Sequence, residues 1–256
     1  MFDATSHENG APSLNDALEM VPNLRTELFA TMLRFRLNSV ATVGDIRQKF
    51  LQLQLGEKDR DLTRFYWYRM TWDDERNYDT TDEVICYRFT PLPFGLTCSP
   101  FLLPASVRQL AFNHKDAFST AATLVDSSIL MDDFVAGAED DNGVISTYYQ
   151  LTALTRKYSF PMGKWASNSE HLKNIWRIGG LEMKFVTRVL GVSWDTMLDT
   201  LFTDHRDVTH KTHEGPSRKR QLLQVTSRFY EPTGLMSPVL ITGKLIFQDS
   251  WSRGVG

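Results

Sequence analysis

The chain has 256 residues, 42% of them hydrophobic and 23% charged, with a formal net charge of -3. That is enough apolar material for one large domain or two small ones, and the mild acidity argues against the basic excess of a strongly nucleic-acid-attracting surface, though not against a local basic groove. No apolar run approaches membrane-spanning length, the N-terminus lacks a signal core, and Cys86 and Cys98 form neither a disulfide framework nor a zinc quartet, so an intracellular, reducing location is expected, cytoplasmic or nuclear.

In chain order, Ser13 is placed to cap a short helix from Leu14 to Met20, before Pro22. Leu24, Leu28, Phe29, Met32 and Leu33 recur at helical spacing and predict a helix from Asn23 to Phe35. Ser39 to Asp45 alternates as a strand does and ends at a carboxylate. Leu51, Leu53 and Leu55 alternate with glutamines and predict an extended segment. Arg64 to Arg69 is aromatic and β-prone, Thr71 to Glu83 reads as an acidic loop, and Val84 to Thr90 reads as the next strand. Leu92-Pro-Phe-Gly-Leu-Thr-Cys-Ser-Pro100 is a shaped loop whose Ser99 and Pro100 start a helix to about Phe112, with Pro104 kinking it or delaying its start. Glu139 to Tyr158 is helical, with Ile145, Tyr148, Leu151, Leu154 and Tyr158 on one face. Phe160 to Trp165 is extended, and Phe185 to Trp194 pairs with Leu198 to Thr203 as a hairpin. His205 to Ser217 is a polar linker, Arg218 to Phe229 a helix, and Pro238 to about Trp251 a last amphipathic helix. Strands and helices mix without strict alternation, which favours an α+β fold.

One stretch stands apart. Asp132-Asp133 lies between Ile129-Leu130-Met131 and Phe134-Val135-Ala136, whereas Asp73-Asp74 and Asp140-Asp141 have polar neighbours and read as solvated turns. Burying a carboxylate without a partner is costly, so an acidic doublet inside an apolar run predicts two strands, Thr123 to Gly137, joined at a hairpin tip. Such a tip suits a divalent cation; an ordinary turn with its charges in water is the competing reading. His205, His210 and His213 match no common zinc spacing.

Taken together, the strand ending in Asp45, Phe50, the Leu92 to Pro100 loop, Met131-Asp132-Asp133, Gly163-Lys164-Trp165 and Val189-Leu190-Gly191-Val192 resemble, in order, the reverse transcriptase palm of LTR retrotransposons. Pro12 to Asp16, Leu33 to Leu37, Trp165 to Asn168 and Phe229 to Pro238 are similar to the BEL/Pao group. The resemblance implies a palm, an antiparallel sheet with packed helices, over residues 39–204 with a fingers insertion at about 56–90. Partial fingers precede it at 1–38, and a linker with thumb-like helices follows at 205–256. It implies an RNA-directed DNA polymerase in which Asp45, Asp132 and Asp133 hold two Mg²⁺ ions, or Mn²⁺, and transfer a dNTP to a primer 3′-hydroxyl on an RNA or DNA template. Phe50 resembles the aromatic that discriminates against a 2′-hydroxyl, Phe94 and Gly95 are expected under the nucleotide and template, and Lys164 beside the triphosphate. Leu190 and Gly191 resemble a primer-grip turn, and Arg218, Lys219 and Arg220 are expected on phosphate.

Three departures accompany the resemblance. Leu130 stands where a tyrosine is usual, and Lys49 where a small residue is usual. Most of the fingers segment is expected upstream of Met1, and RNase H and integrase domains outside the chain, so a polymerase fragment is expected. The alternative is a catalytically inactive remnant acting only as a nucleic-acid-binding or scaffold protein. An unrelated two-metal hydrolase would explain the carboxylates but not the Pro93-Phe94-Gly95 loop.

Overall fold

The computed structural model describes residues 2–22, 24, 27–72, 78–130, 133–203, 219–229, 234 and 236–254. The chain divides into two compact units interleaved in sequence: residues 1–25, 45–132 and 147–163 form the first, and 26–44, 133–146 and 164–256 the second.

In the first unit, Ser13 caps the short α1 (Leu14–Ala17). Its hydroxyl accepts from the Asp16 N–H, and the Asp16 carboxylate accepts in return from the Ser13 N–H at 2.9 Å. This reciprocal arrangement satisfies otherwise orphaned donors at a helix start. The segment read as extended around Leu51 is instead a 3-10 turn, Lys49–Gln52, entered through Gln48 in the left-handed region (φ 50). Leu51 is exposed there, so the Leu/Gln alternation does not report a buried strand face.

Strands β2 (Arg64–Trp72) and β3 (Tyr78–Arg88) form a long antiparallel ribbon with a register shift between Tyr68 and Met70. The ribbon takes in much of the stretch expected to be an acidic loop. Tyr66, Trp67, Tyr68, Trp72 and Tyr78 are exposed, so most of its residues face water and the apolar alternation that marks a half-buried strand is missing. Helix α3 (Ser99–Asn113) starts as the Ser-Pro pair predicts and carries Pro104 within it, buried. Helix α4 (Ser119–Ser128) leads directly into β4 (Ile129–Leu130). The first arm of the expected carboxylate hairpin is thus mostly helix. Ala121, Val125 and Ser128 are buried at the i, i+4, i+7 spacing of one helical face.

In the second unit, α2 (Leu28–Leu37) runs two residues beyond the predicted end at Phe35 and buries Thr31, Met32 and Phe35. Strand β1 (Val40–Ile46) is buried at four consecutive positions, Ala41 to Gly44, and β5 (Asp133–Ala138) at three, Phe134 to Ala136. The sheet order is β4-β5-β1-β6, with β6 spanning Met162–Ser167. Continuous burial suits the two inner strands, which are covered on both faces. Gly44 is packed so closely that a Cβ there would lie 2.8 Å from the Trp165 ring. Trp165 in turn sits 6.3 Å, centroid to centroid, from Trp176 of α6 (Glu170–Ile178), a helix the sequence reading did not assign.

Helix α5 (Asp141–Arg156) follows its prediction, although Val144, Thr147, Leu151, Leu154 and Thr155 form the buried face and Tyr158 is exposed. The stretch from Phe185 to Trp194, expected to be one arm of a hairpin, is itself a hairpin. Strand β7 (Val186–Val189) pairs with β8 (Val192–Asp195), and β8 with β9 (Thr200–Phe202). Helices α7 (Lys219–Arg228) and α8 (Ser237–Ser252) pack on each other and bury no residue completely. The expected linker and its three histidines lie outside the described residues.

Candidate functional site

Asp45 is the next-to-last residue of β1, and Asp133 opens β5, the neighbouring strand in the sheet order. Asp45 is half-buried and its Oδ1 is fully shielded from solvent; Asp133 is also half-buried. Asp132 and Met131 lie outside the described residues. Among the described residues no three His, Cys, Asp or Glu side chains gather as a metal group. The chemistry of the expected donors, hard carboxylate oxygens from two strand ends, nevertheless fits Mg²⁺ or Mn²⁺.

Of the other two doublets, Asp73-Asp74 lies outside the described residues and Asp140-Asp141 does structural work. Asp140 accepts from the Gly143 N–H at 2.8 Å, closing the first turn of α5. Asp141 accepts from the Ser169 hydroxyl and lies 2.8 Å from His171 Nδ1. The Ser169 hydrogen bond, reinforced by His171, outweighs slight desolvation and holds the Asp141 carboxyl below the usual carboxylate range.

Within the first unit, Phe50 and the Leu92 to Pro100 loop come together. Phe50 is 4% exposed, and its ring meets Phe94 edge-on at a centroid distance of 4.8 Å, a favourable aromatic geometry. The Lys49 ammonium lies 5.4 Å from the Phe50 centroid. Phe50 is therefore built into the core, while Phe94 is half-exposed. The loop is fixed from below: the Leu92 N–H donates to Leu53 O at 2.8 Å, and the Ser99 hydroxyl donates to Pro93 O at 3.0 Å. Leu92 and Leu96 are buried, so Phe94, Gly95 and Thr97 form the outward tip.

Gly95 has φ +104, a region that strains any residue with a Cβ. The close backbone approach expected there is made within the chain by Phe2, whose carbonyl oxygen would lie 2.6 Å from a Cβ at residue 95. Asn15 also reaches this loop, a contact the sequence reading missed; only the position of Asn15 inside the Pro12 to Asp16 motif hinted at it.

Within the second unit, Lys164 is exposed and left-handed at φ 48, near the start of β6. Leu190 (φ 49) and Gly191 (φ 90) form the two-residue turn between Val189 and Val192, and two positive φ angles mark the tight hairpin type. Leu190 is buried, which offsets the strain of a left-handed leucine. This small sheet is tied to α2: Trp194 is fully buried, meets Phe35 edge-on at 5.0 Å and donates from Nε1 to Asp199 at 3.0 Å. Arg36 grips Asp199 with both terminal nitrogens. Burial would raise the Asp199 carboxyl, but the hydrogen bonds from Arg36 and Trp194 prevail and lower it. In α7, Lys219 lies 4.8 Å from the Trp251 ring and is half-buried, while Arg220 is exposed; Arg218 is outside the described residues.

Comparison with known proteins adds two findings. Residues 218–256 match the Pao retrotransposon-like RNaseH-like domain. The fold matches foamy viral protease-reverse transcriptase in complex with dsDNA at a TM-score of 0.54 and 13% identity, over 90% of this chain and 41% of that one. The chain shares its fold with part of a foamy viral protease-reverse transcriptase. The dRH form in complex with ds DNA gives TM-score 0.54 and 13% identity, over 90% of this chain and 35% of that one. The form in complex with RNA/DNA hybrid gives 0.51 and 14%, over 85% and 25%. The chain thus spans between a quarter and about two fifths of those chains. No curated protein matches the sequence.

The family match supports a retrotransposon character for the C-terminal segment and describes it as RNaseH-like, where a polymerase thumb was expected. The expectation that RNase H lies outside the chain finds no support in that description. No described helix is long and apolar enough to cross a membrane.

Proposed function

We propose that the chain is the polymerase core of a BEL/Pao-type reverse transcriptase, an RNA-directed DNA polymerase acting inside the cell on an RNA or DNA template with a primer. The observation that carries this reading is the strand order: β1, which ends next to Asp45, neighbours β5, which opens at Asp133. The likeness in fold to viral reverse transcriptase, and the nucleic acids in those complexes, support it. In this reading residues 39–204 are the palm, 1–38 and about 56–90 belong to the fingers, and the helices after 205 form the thumb side.

Asp45, Asp132 and Asp133 would hold two Mg²⁺ ions, which supply charge neutralisation for attacking and leaving oxygens. The remaining groups bind and orient. Phe94 and Gly95 face the nucleotide and template, Phe50 supports Phe94 from the core, and Lys164 presents its ammonium to the triphosphate. Gly191 presents the hairpin turn to the primer, with Leu190 buried beneath it, and Arg218, Lys219 and Arg220 face phosphate without reading sequence.

The depth of Phe50 favours a second reading. At 4% exposure, with Phe94 edge-on and Lys49 beside it, the ring has the surroundings of a core aromatic. A non-catalytic protein that keeps the fold and binds primer–template would look the same. Primer extension on an RNA template with dNTPs and Mg²⁺ or Mn²⁺ separates the two. Extension establishes the polymerase; primer–template binding without extension establishes the binding protein.

A further inference from the structure

Asn15 and the Pro93 to Thr97 loop are 80 to 82 residues apart in sequence, yet one carboxamide brackets the loop's outward tip. The Asn15 Nδ2–H donates to Gly95 O at 2.9 Å, and Asn15 Oδ1 accepts from the Thr97 N–H at 3.0 Å. The two bonds straddle Leu96, whose side chain is buried, so the peptide units on both sides of that anchor are fixed. A side-chain amide offers a donor and an acceptor in one plane at this spacing. Aspartate would keep the acceptor and set its second oxygen against the Gly95 carbonyl; alanine would leave both backbone groups to water.

Asn15 is itself held. Its N–H donates to Ala4 O at 3.1 Å, its neighbours Ser13 and Asp16 are locked in the capping box, and Ala4 is buried. The Phe2 carbonyl sits over Gly95 from the same segment. The N-terminal segment is therefore a strap that grips the loop at two points. The tip it grips presents Phe94, Gly95 and Thr97, the residues of the loop left accessible.

We propose that Asn15 is a positioning residue: through its bracket on Gly95 and Thr97 it sets the loop tip in the conformation that receives the incoming nucleotide and its template base. The proposal rests on the polymerase reading given above and adds a residue to it. A mobile tip would have to be ordered on each binding event, and ordering opposes binding. Preorganisation by the strap removes that cost, so its loss should appear in nucleotide affinity rather than in the chemical step.

The test uses the full chain as Asn15→Asp and Asn15→Ala beside wild type. Three quantities are read: dNTP KM and kcat in primer extension, affinity for a fluorescein-labelled primer on an RNA template, and exchange of the Thr97 amide. The expected result is a KM raised about tenfold, the equivalent of one or two lost hydrogen bonds, with kcat within about twofold. Thr97 exchange should be faster and the melting temperature nearly unchanged. Faster Thr97 exchange with unaltered KM would overturn the proposal and leave the bracket a structural contact only. A fall in kcat that tracks a fall in melting temperature would also overturn it, and Asn15→Asp, which removes no volume, guards against misfolding. If wild type does not extend a primer, the polymerase reading fails separately. The bracket is then judged on primer–template affinity, where about tenfold weaker binding in both variants supports it and equal binding overturns it.

Discussion

Strand β5 has an acidic doublet near each end, and the two are built differently. At its far end Asp140 and Asp141 have identified structural work: Asp140 closes the first turn of α5, and Asp141 joins Ser169, the cap of α6, to His171. At its near end Asp133 enters a strand whose next residues, Phe134 to Ala136, are all buried beside β1. Capping residues are common at polar chain reversals and say little about function. Asp133 sits half-buried at the mouth of an inner strand, where the proposed reading gives it a metal.

The largest effect that would sharpen this contrast is chemical. Asp45→Asn should lower primer extension about a thousandfold or more, as expected when a metal-held charge is removed. The melting temperature should change little, and a variant that extends normally would break the contrast at once. Next in size is Phe134→Ala, which empties a fully buried aromatic site and should cost about 3–5 kcal/mol in denaturant unfolding. A loss below about 1 kcal/mol would mean that β5 is not the inner strand described.

Asp141→Asn should cost at most about 1 kcal/mol, a capping-sized effect at a partly exposed site. Its pH signature has a definite sign. Because the folded-state carboxyl is lowered, its stabilisation is complete above the unfolded value of about 4 and is lost as pH falls through the folded value. Asp141→Asn should therefore unfold with a flatter acid limb below about pH 4 in a urea series. An unchanged limb would remove Asp141 from its assigned role. Smallest is Tyr66→Ala on the exposed ribbon, expected within about 0.5 kcal/mol of wild type by thermal melting.

The sequence made some of this legible because local chemistry and tertiary environment agree. Ser13, Ser99-Pro100 and Pro238 mark helix starts that the structure keeps. Ser39 to Asp45 is strand-like in sequence and β1 is found almost where that stretch ends, though its burial is continuous rather than alternating. Failures arose where the environment overrode the pattern. Leu51 to Leu55 alternates without a sheet partner to exploit the alternation beyond the single bridge from Gln54 to Pro91. Thr80 to Asp82 are strand residues in a ribbon largely exposed to solvent, where apolar periodicity has nothing to report. The run before Ile129, expected as the first arm of a hairpin, is helix, and the buried positions of α4 follow helical spacing. The candidate site was legible as a set of residue types, Asp45, Phe50, Phe94 and Asp133, because carboxylates and Pro-Phe-Gly loops stand out. The Asn15 bracket was not, since hydrogen bonds over 80 residues leave no local pattern.

In the proposed reading the Asp132-Asp133 doublet is chemical and the Asp140-Asp141 doublet structural. The most direct measurement is Mg²⁺-dependent primer extension on an RNA template by wild type, Asp132→Asn and Asp141→Asn, each folded at the assay temperature. Extension by wild type and by Asp141→Asn, with none by Asp132→Asn, is the predicted result. Extension by Asp132→Asn at the wild-type rate would contradict it.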